Sequence, residues 1–158
     1  MIKLFISDVD GVLTDGSMYY SENGDELKRF NTYDGMAFSI LKERGVKTAI
    51  ITSEQTNIVS ARAKKLKIDF LYQGVSGKEK LRLAKQICIE NKIPFSNMSY
   101  VGDDINCFEL LNFANYKACP LNARQQIKEI ENIIKLKTKG GDGAVREFVE
   151  YLIEKKLI

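Results

Sequence analysis

Short apolar runs alternate with helix-period segments along almost the whole chain, and this alternation restricts the fold more than any other feature. Strands are predicted at Lys3–Ser7, Lys47–Ile51, Phe70–Tyr72, Met98–Val101, Tyr116–Ala118 and, more weakly, Asn132–Leu136. Between them the spacing predicts helices over Gly35–Arg44, Thr56–Leu66, Lys78–Asn91, Asn106–Leu111, Ala123–Ile130 and Ala144–Leu157. Strands separated by helices pair in parallel and need cover on both faces, so the fold class is α/β, a doubly wound, Rossmann-like parallel sheet. With 158 residues the chain suffices for one domain with a real core, expected to span 1–158.

One segment breaks the alternation. Ser17–Tyr20 and Leu27–Phe30 flank a polar stretch containing Asn23-Gly24, a strong signal for a hairpin turn. A β-hairpin insert at about 17–31 is therefore expected just after the first strand. Nothing else is long enough to form a cap domain. A second glycine cluster, Gly140-Gly141-Asp142-Gly143, precedes the last helix.

In open parallel sheets ligands sit outside the carboxyl ends of the strands. The first strand ends in Asp8-Val9-Asp10-Gly11, two carboxylates pointing to the same side of the chain, followed by a residue that lets the backbone turn away. The second ends in Thr52-Ser53-Glu54, the third runs through Gly74 to Lys78, and the fourth ends in Gly102-Asp103-Asp104. Carboxylates, a hydroxyl and a lysine suit a hard cation and phosphoryl transfer, where positioning and charge neutralisation provide most of the catalysis. Taken singly, each residue has a plainer use: an Asp after a strand forms turns, Thr52 could cap a helix, and Lys78 could be a solvated lysine.

Composition narrows the chemistry. The chain contains no histidine, which excludes a His-based triad, a His-ligated zinc site and a His general base. Its three cysteines, Cys88, Cys107 and Cys119, have no CxxC spacing and read as reduced thiols. With no signal peptide and no apolar run long enough for a bilayer, a cytoplasmic location without membrane partners is expected. The net charge of +3 is spread along the chain, with no basic block interleaved with aromatics, so no nucleic-acid partner is expected.

The ordered set resembles the small, capless phosphatases of the haloacid dehalogenase superfamily, and within them the 3-deoxy-octulosonate 8-phosphate and nonulosonate 9-phosphate phosphatases. The likeness covers nearly the full length. It is carried by Asp-Val-Asp-Gly-Val-Leu-Thr-Asp-Gly from Asp8, Asn31-Thr32-Tyr33-Asp34-Gly35, Ile50-Ile51-Thr52, Tyr72-Gln73-Gly74 to Lys78, Tyr100-Val101-Gly102-Asp103-Asp104, and Gly-Gly-Asp-Gly-Ala-Val-Arg-Glu from Gly140. The resemblance implies Asp8 as nucleophile, forming a phosphoaspartate, and Asp10 as proton donor to the leaving oxygen and then proton acceptor from water. It implies Thr52 and Lys78 on the phosphoryl oxygens. One Mg²⁺ is implied at Asp8, Asp103 and the Asp10 backbone carbonyl, with Asp104 nearby through water. Asn31, Thr32, Asp34, Gly35, Ser53, Glu54 and Arg62 are implied substrate contacts.

The family usually closes its fourth motif with Asp, where this chain has Cys107. That carboxylate helps to organise the metal loop and the lysine, so its loss could slow turnover, alter metal affinity or mark a silent module; alternatively Asp103 and Asp104 suffice. Glu54 stands where octulosonate phosphatases typically carry a basic residue and nonulosonate relatives an acid, which favours a nine-carbon sugar acid phosphate. The related enzymes form tetramers around their hairpins, and Met18, Tyr19, Tyr20 and Phe30 would give this hairpin an apolar surface that wants a partner. A homotetramer is therefore expected. The competing reading is a catalytically weak or silent module supporting a sialic-acid (acylneuraminate) activating enzyme. A phosphoacceptor receiver domain fits less well, because Asp69 lies at the wrong end of its strand.

Overall fold

The computed structural model describes residues 1–158. Six strands form one parallel sheet: β1 (Leu4–Ser7), β4 (Lys47–Ile51), β5 (Phe70–Tyr72), β6 (Met98–Val101), β7 (Tyr116–Cys119) and β8 (Ile134–Lys135). Their order is β5-β4-β1-β6-β7-β8, with β1 paired in parallel to β4 on one side and β6 on the other. The strand order reverses at β1, so a crevice opens at its carboxyl end. All four residues of β1 and of β6 are buried, which explains why these strands read as continuous apolar runs instead of alternating ones.

Helices cover both faces. On one side α1 (Thr32–Glu43), α2 (Asn57–Leu66) and α6 (Ala144–Glu154) pack around Phe5, Phe38 and Phe148. The Phe5 ring meets Phe38 edge-on at 6.1 Å and Phe148 at 5.6 Å. On the other side α3 (Gly77–Glu90), α4 (Phe108–Phe113) and α5 (Gln125–Lys128) bury Leu83, Ile87, Leu110 and Ile127 against Tyr100 and Met98. No cap domain is present, and no helix is long and apolar enough to cross a membrane.

Element existence agrees with the sequence reading, whereas several boundaries move. Helix α1 starts at Thr32, three residues before the expected Gly35, because the Asn31 side chain caps it by accepting from the Tyr33 N–H. The helix expected over Ala123–Ile130 shortens to four residues, and the last strand to Ile134–Lys135. The hairpin consists of β2 (Tyr19–Tyr20) and β3 (Glu26–Leu27), paired Tyr19 with Leu27 and Tyr20 with Glu26. Gly24, at φ +85°, makes its turn.

Candidate active site

An open cleft of about 270 Å³ lies over the carboxyl ends of β1, β4 and β6. Asp8, Asp10, Thr52, Ser53, Glu54, Asp103 and Asp104 all line it, with Asn106 and Ile105 from the loop after β6 and Met18 from the hairpin. Asp8 and Thr52 are buried at the floor, Asp10 and Asp103 are half-buried, and Asp104 is an exposed rim residue that caps the following 3-10 turn. Glu54 and Ser53 lie on the opposite rim, where the Ser53 hydroxyl accepts from Asn106 Nδ2 at 2.9 Å.

The loop after Asp8 is built to bring these acids together. Gly11 has φ +80°, and a Cβ there would land on the Asp103 carboxylate, so only glycine lets Asp103 approach. The buried Thr14 closes the loop: its Oγ1 accepts from Gly11 N–H at 3.3 Å and Gly16 N–H at 3.2 Å. Asn122 donates to the Gly11 carbonyl at 2.9 Å and accepts from Gly140 N–H at 2.6 Å. The glycine loop before α6 is thereby fastened onto the loop after β1 of the same chain.

Asp8 is held on both oxygens. Its Oδ1 accepts from the Val9 N–H at 2.9 Å. Its Oδ2 lies 2.9 Å from Lys80 Nζ and 2.8 Å from Cys107 Sγ. Lys80 is fully buried; burial pulls its ammonium down, yet the charge and hydrogen bond of Asp8 together with the contact to Cys107 outweigh this and keep it above its ordinary value. Burial, and next the charge of Asp8, push the Cys107 thiol far up, so it is protonated and donates to the carboxylate. Lys80 also approaches the sulfur at 3.7 Å.

The lysine of the site is thus Lys80, and the expectation for Lys78 is corrected. Lys78 is exposed in the first turn of α3 and does not line the cleft. Two residues along a helix are roughly 200° apart, so the two lysines face opposite ways. The missed signal was helical phase: Lys80 continues the buried stripe of Leu83, Ala84, Ile87 and Cys88.

The expected substrate contacts divide. Ser53 and Glu54 line the cleft, whereas Asn31, Thr32, Asp34, Gly35 and Arg62 do not. Two of these five, Asn31 and Asp34, instead fasten α6 and the loop before it, and Asn31 Nδ2 donates to the Gly141 carbonyl at 3.3 Å. Asp34 is buried and accepts from the Arg146 N–H at 3.0 Å at the start of α6. Arg62 donates to the Asn31 carbonyl at 3.0 Å, lies over the Phe30 ring at 5.4 Å and fills the space above Gly35. Burial raises the Asp34 carboxyl to about 6. Arg146 itself pairs with Glu150 at 2.7 Å.

The carboxylates of Asp8 and Asp103 suit a divalent cation, with the protonated Cys107 thiol beside them as a neighbour and not an oxygen ligand. One ligand atom each of Asp8, Asp103 and Cys107 lies within 4.8 Å of the others. Burial, followed by the charges of Asp8 and Asp104, pushes the Asp103 carboxyl up to about 8. Crowded, half-desolvated carboxylates of this kind are relieved by a hard cation with oxygen ligands.

No protein-family model matches the chain. Among curated proteins it is 34% identical to the 3-deoxy-D-manno-octulosonate 8-phosphate phosphatase KdsC of Escherichia coli K12, over 96% of this chain and 79% of that one. Among solved structures it resembles the 3-deoxy-D-manno-octulosonate 8-phosphate phosphatase of Moraxella catarrhalis in complex with magnesium ion, phosphate ion and KDO. The TM-score is 0.91 at 34% identity, covering 97% of this chain and 86% of that one. The cobalt-bound deoxy-D-mannose-octulosonate 8-phosphate phosphatase of Haemophilus influenzae matches with TM-score 0.89 at 27% identity, covering 97% and 88%. With the cleft acids, the fold and these likenesses in agreement, the chain belongs to the octulosonate 8-phosphate phosphatase family of the haloacid dehalogenase superfamily, a family of phosphoric monoester hydrolases.

Proposed function

We propose that the chain is a Mg²⁺-dependent phosphomonoesterase that acts on a phosphorylated eight- or nine-carbon keto-deoxy sugar acid through a phosphoaspartate intermediate. The observation that carries this reading is Asp8, buried at the end of β1, neutralised by Lys80 at 2.9 Å and facing an open cleft with Asp10 at its side. Asp8 and Asp103, with the Asp10 backbone carbonyl, would hold Mg²⁺, and Asp104 would act through water. The bound ion supplies charge neutralisation at the transferring phosphoryl group.

Lys80 and the Cys107 thiol hold the Asp8 carboxylate in one orientation, and the carboxylate attacks phosphorus. The Thr52 hydroxyl, at the cleft floor, donates to a phosphoryl oxygen. As the P–O bond breaks, Asp10 gives its proton to the leaving sugar oxygen. Asp10 then takes a proton from the water that attacks phosphorus and releases Asp8. The protonated Cys107 leaves Lys80 with one carboxylate partner, Asp8, so the charge of the nucleophile is still balanced.

Glu54, on the rim of the cleft, favours the nine-carbon acid through the resemblance alone, which places an acid here in nonulosonate-type relatives and a basic residue in octulosonate phosphatases. The exposed Met18, Tyr19, Tyr20 and Leu27 support assembly of copies through the hairpin. Phosphate release from a panel of eight- and nine-carbon sugar-acid phosphates, with Mg²⁺, with chelator and with Asp8→Asn, tests the reading. Turnover that needs Mg²⁺ and Asp8 is expected. Absence of turnover on every member, with the fold and oligomer intact, would leave the silent module instead. Sedimentation of the wild type and of Tyr20→Glu tests the tetramer.

A further inference from the structure

The hairpin also reaches back to one of the cleft acids. Lys28, the residue after β3, places its Nζ 2.7 Å from Asp10 Oδ1 and 3.1 Å from Glu26 Oε1, and its side chain is only 1% exposed. Covering a lysine so fully requires anionic partners, and here both are in place. Asp10 receives no other side-chain or backbone hydrogen bond on its carboxylate. This contrasts with Asp8, whose two oxygens are fixed by Val9, Lys80 and Cys107. Gly11 turns the chain immediately after Asp10, so neither sheet nor helix backbone holds that side chain. Its orientation therefore depends on a contact from a residue eighteen positions away.

We infer that Lys28 is a positioning residue for proton transfer: it grips Asp10 Oδ1 and thereby presents the other carboxyl oxygen to the leaving group. The inference rests on the role given to Asp10 above. Lys28 does not line the cleft, and its ammonium is already held by two carboxylates, so it acts through Asp10 and not on the substrate. A single ion-paired oxygen also limits the rotation of a half-exposed side chain, which shortens the search for a productive geometry.

Leaving-group dependence tests this. An alkyl phosphate ester needs its departing oxygen protonated, whereas p-nitrophenyl phosphate departs as a stable phenolate without help. Lys28→Gln is expected to lower kcat on alkyl phosphates by roughly 10- to 100-fold, a fraction of the roughly 10²–10⁴-fold that general acid catalysis provides, and on p-nitrophenyl phosphate by less than about threefold. Lys28→Arg, which keeps a charged donor, is expected to recover most of the alkyl rate and serves if Lys28→Gln melts early. In an Asp10→Asn background Lys28→Gln is expected to add no further loss. If Asp10→Asn shows the leaving-group dependence while both Lys28 variants slow the two esters equally, Lys28 is merely structural and the inference is overturned. If Asp10→Asn itself slows the two equally, the role of Asp10 fails first and the inference falls with it.

Discussion

Replacing Lys80 by Met removes the one cation paired with the nucleophile while preserving the length of the side chain. The pair is fully buried at 2.9 Å, where an effective dielectric of about 20 gives an attraction of about 6 kcal/mol. Desolvation offsets much of this in the intact pair, but a carboxylate left behind alone costs roughly 3–5 kcal/mol. At 2–4 °C per kcal/mol for a chain of this size, melting should fall by roughly 6–20 °C. Turnover should fall further, by roughly 10²–10³, as when one preorganised charge-stabilising group is lost. Lys78→Met, at an exposed position with no partner, should change neither. The assay is phosphate release with saturating Mg²⁺ beside a thermal melt of each variant. Loss of turnover in Lys78→Met with Lys80→Met fully active would refute the assignment of the buried lysine.

Three further outcomes follow from particular contacts. Gly11→Ala should raise the Mg²⁺ concentration needed for half-maximal activity and shift metal titrations to lower affinity, because the new Cβ displaces Asp103; the positive φ alone costs about 1–2 kcal/mol. Asp34 binds its proton more tightly in the folded state, with the carboxyl raised by burial from 3.8 to about 6 despite Arg62, and Asp142 adds to the rise. Stability is therefore lost as pH rises from about 4 to 6, by up to about 3 kcal/mol. Asp34→Asn, which keeps an acceptor for the Arg146 N–H, should melt above wild type at pH 7 and converge with it towards pH 4. All three thiols are buried, and burial raises each, so alkylation by iodoacetamide should follow unfolding and not precede it.

The strand–helix alternation was legible because the central strands β1, β4 and β6 are buried almost throughout and therefore read as apolar-rich runs. The acids after β1 and β6 were legible for a related reason: strand ends in a parallel sheet converge on one edge, so a strand prediction also places its terminal residues. Lys80 was hidden by the choice of loop over helical phase, although its spacing from Leu83 and Ala84 marks it as inward-facing. Asp34 and Arg62 look like binding residues in a polar motif, but Asp34 is placed by how α6 returns to the sheet, a contact across more than a hundred residues, and Arg62 by the Asn31 carbonyl and the Phe30 ring. Lys28 offers no local pattern at all, since its partner is reached only once the hairpin folds back over Asp10.

The most direct test of the account is capture of the phosphorylated nucleophile. Turnover quenched in acid and reduced with borohydride converts an aspartyl phosphate to homoserine, which peptide mass mapping locates. The account predicts conversion at position 8, abolished in Asp8→Asn, with retention of configuration at a chiral phosphorus. No adduct, together with inversion at phosphorus, would show direct attack by water and contradict it.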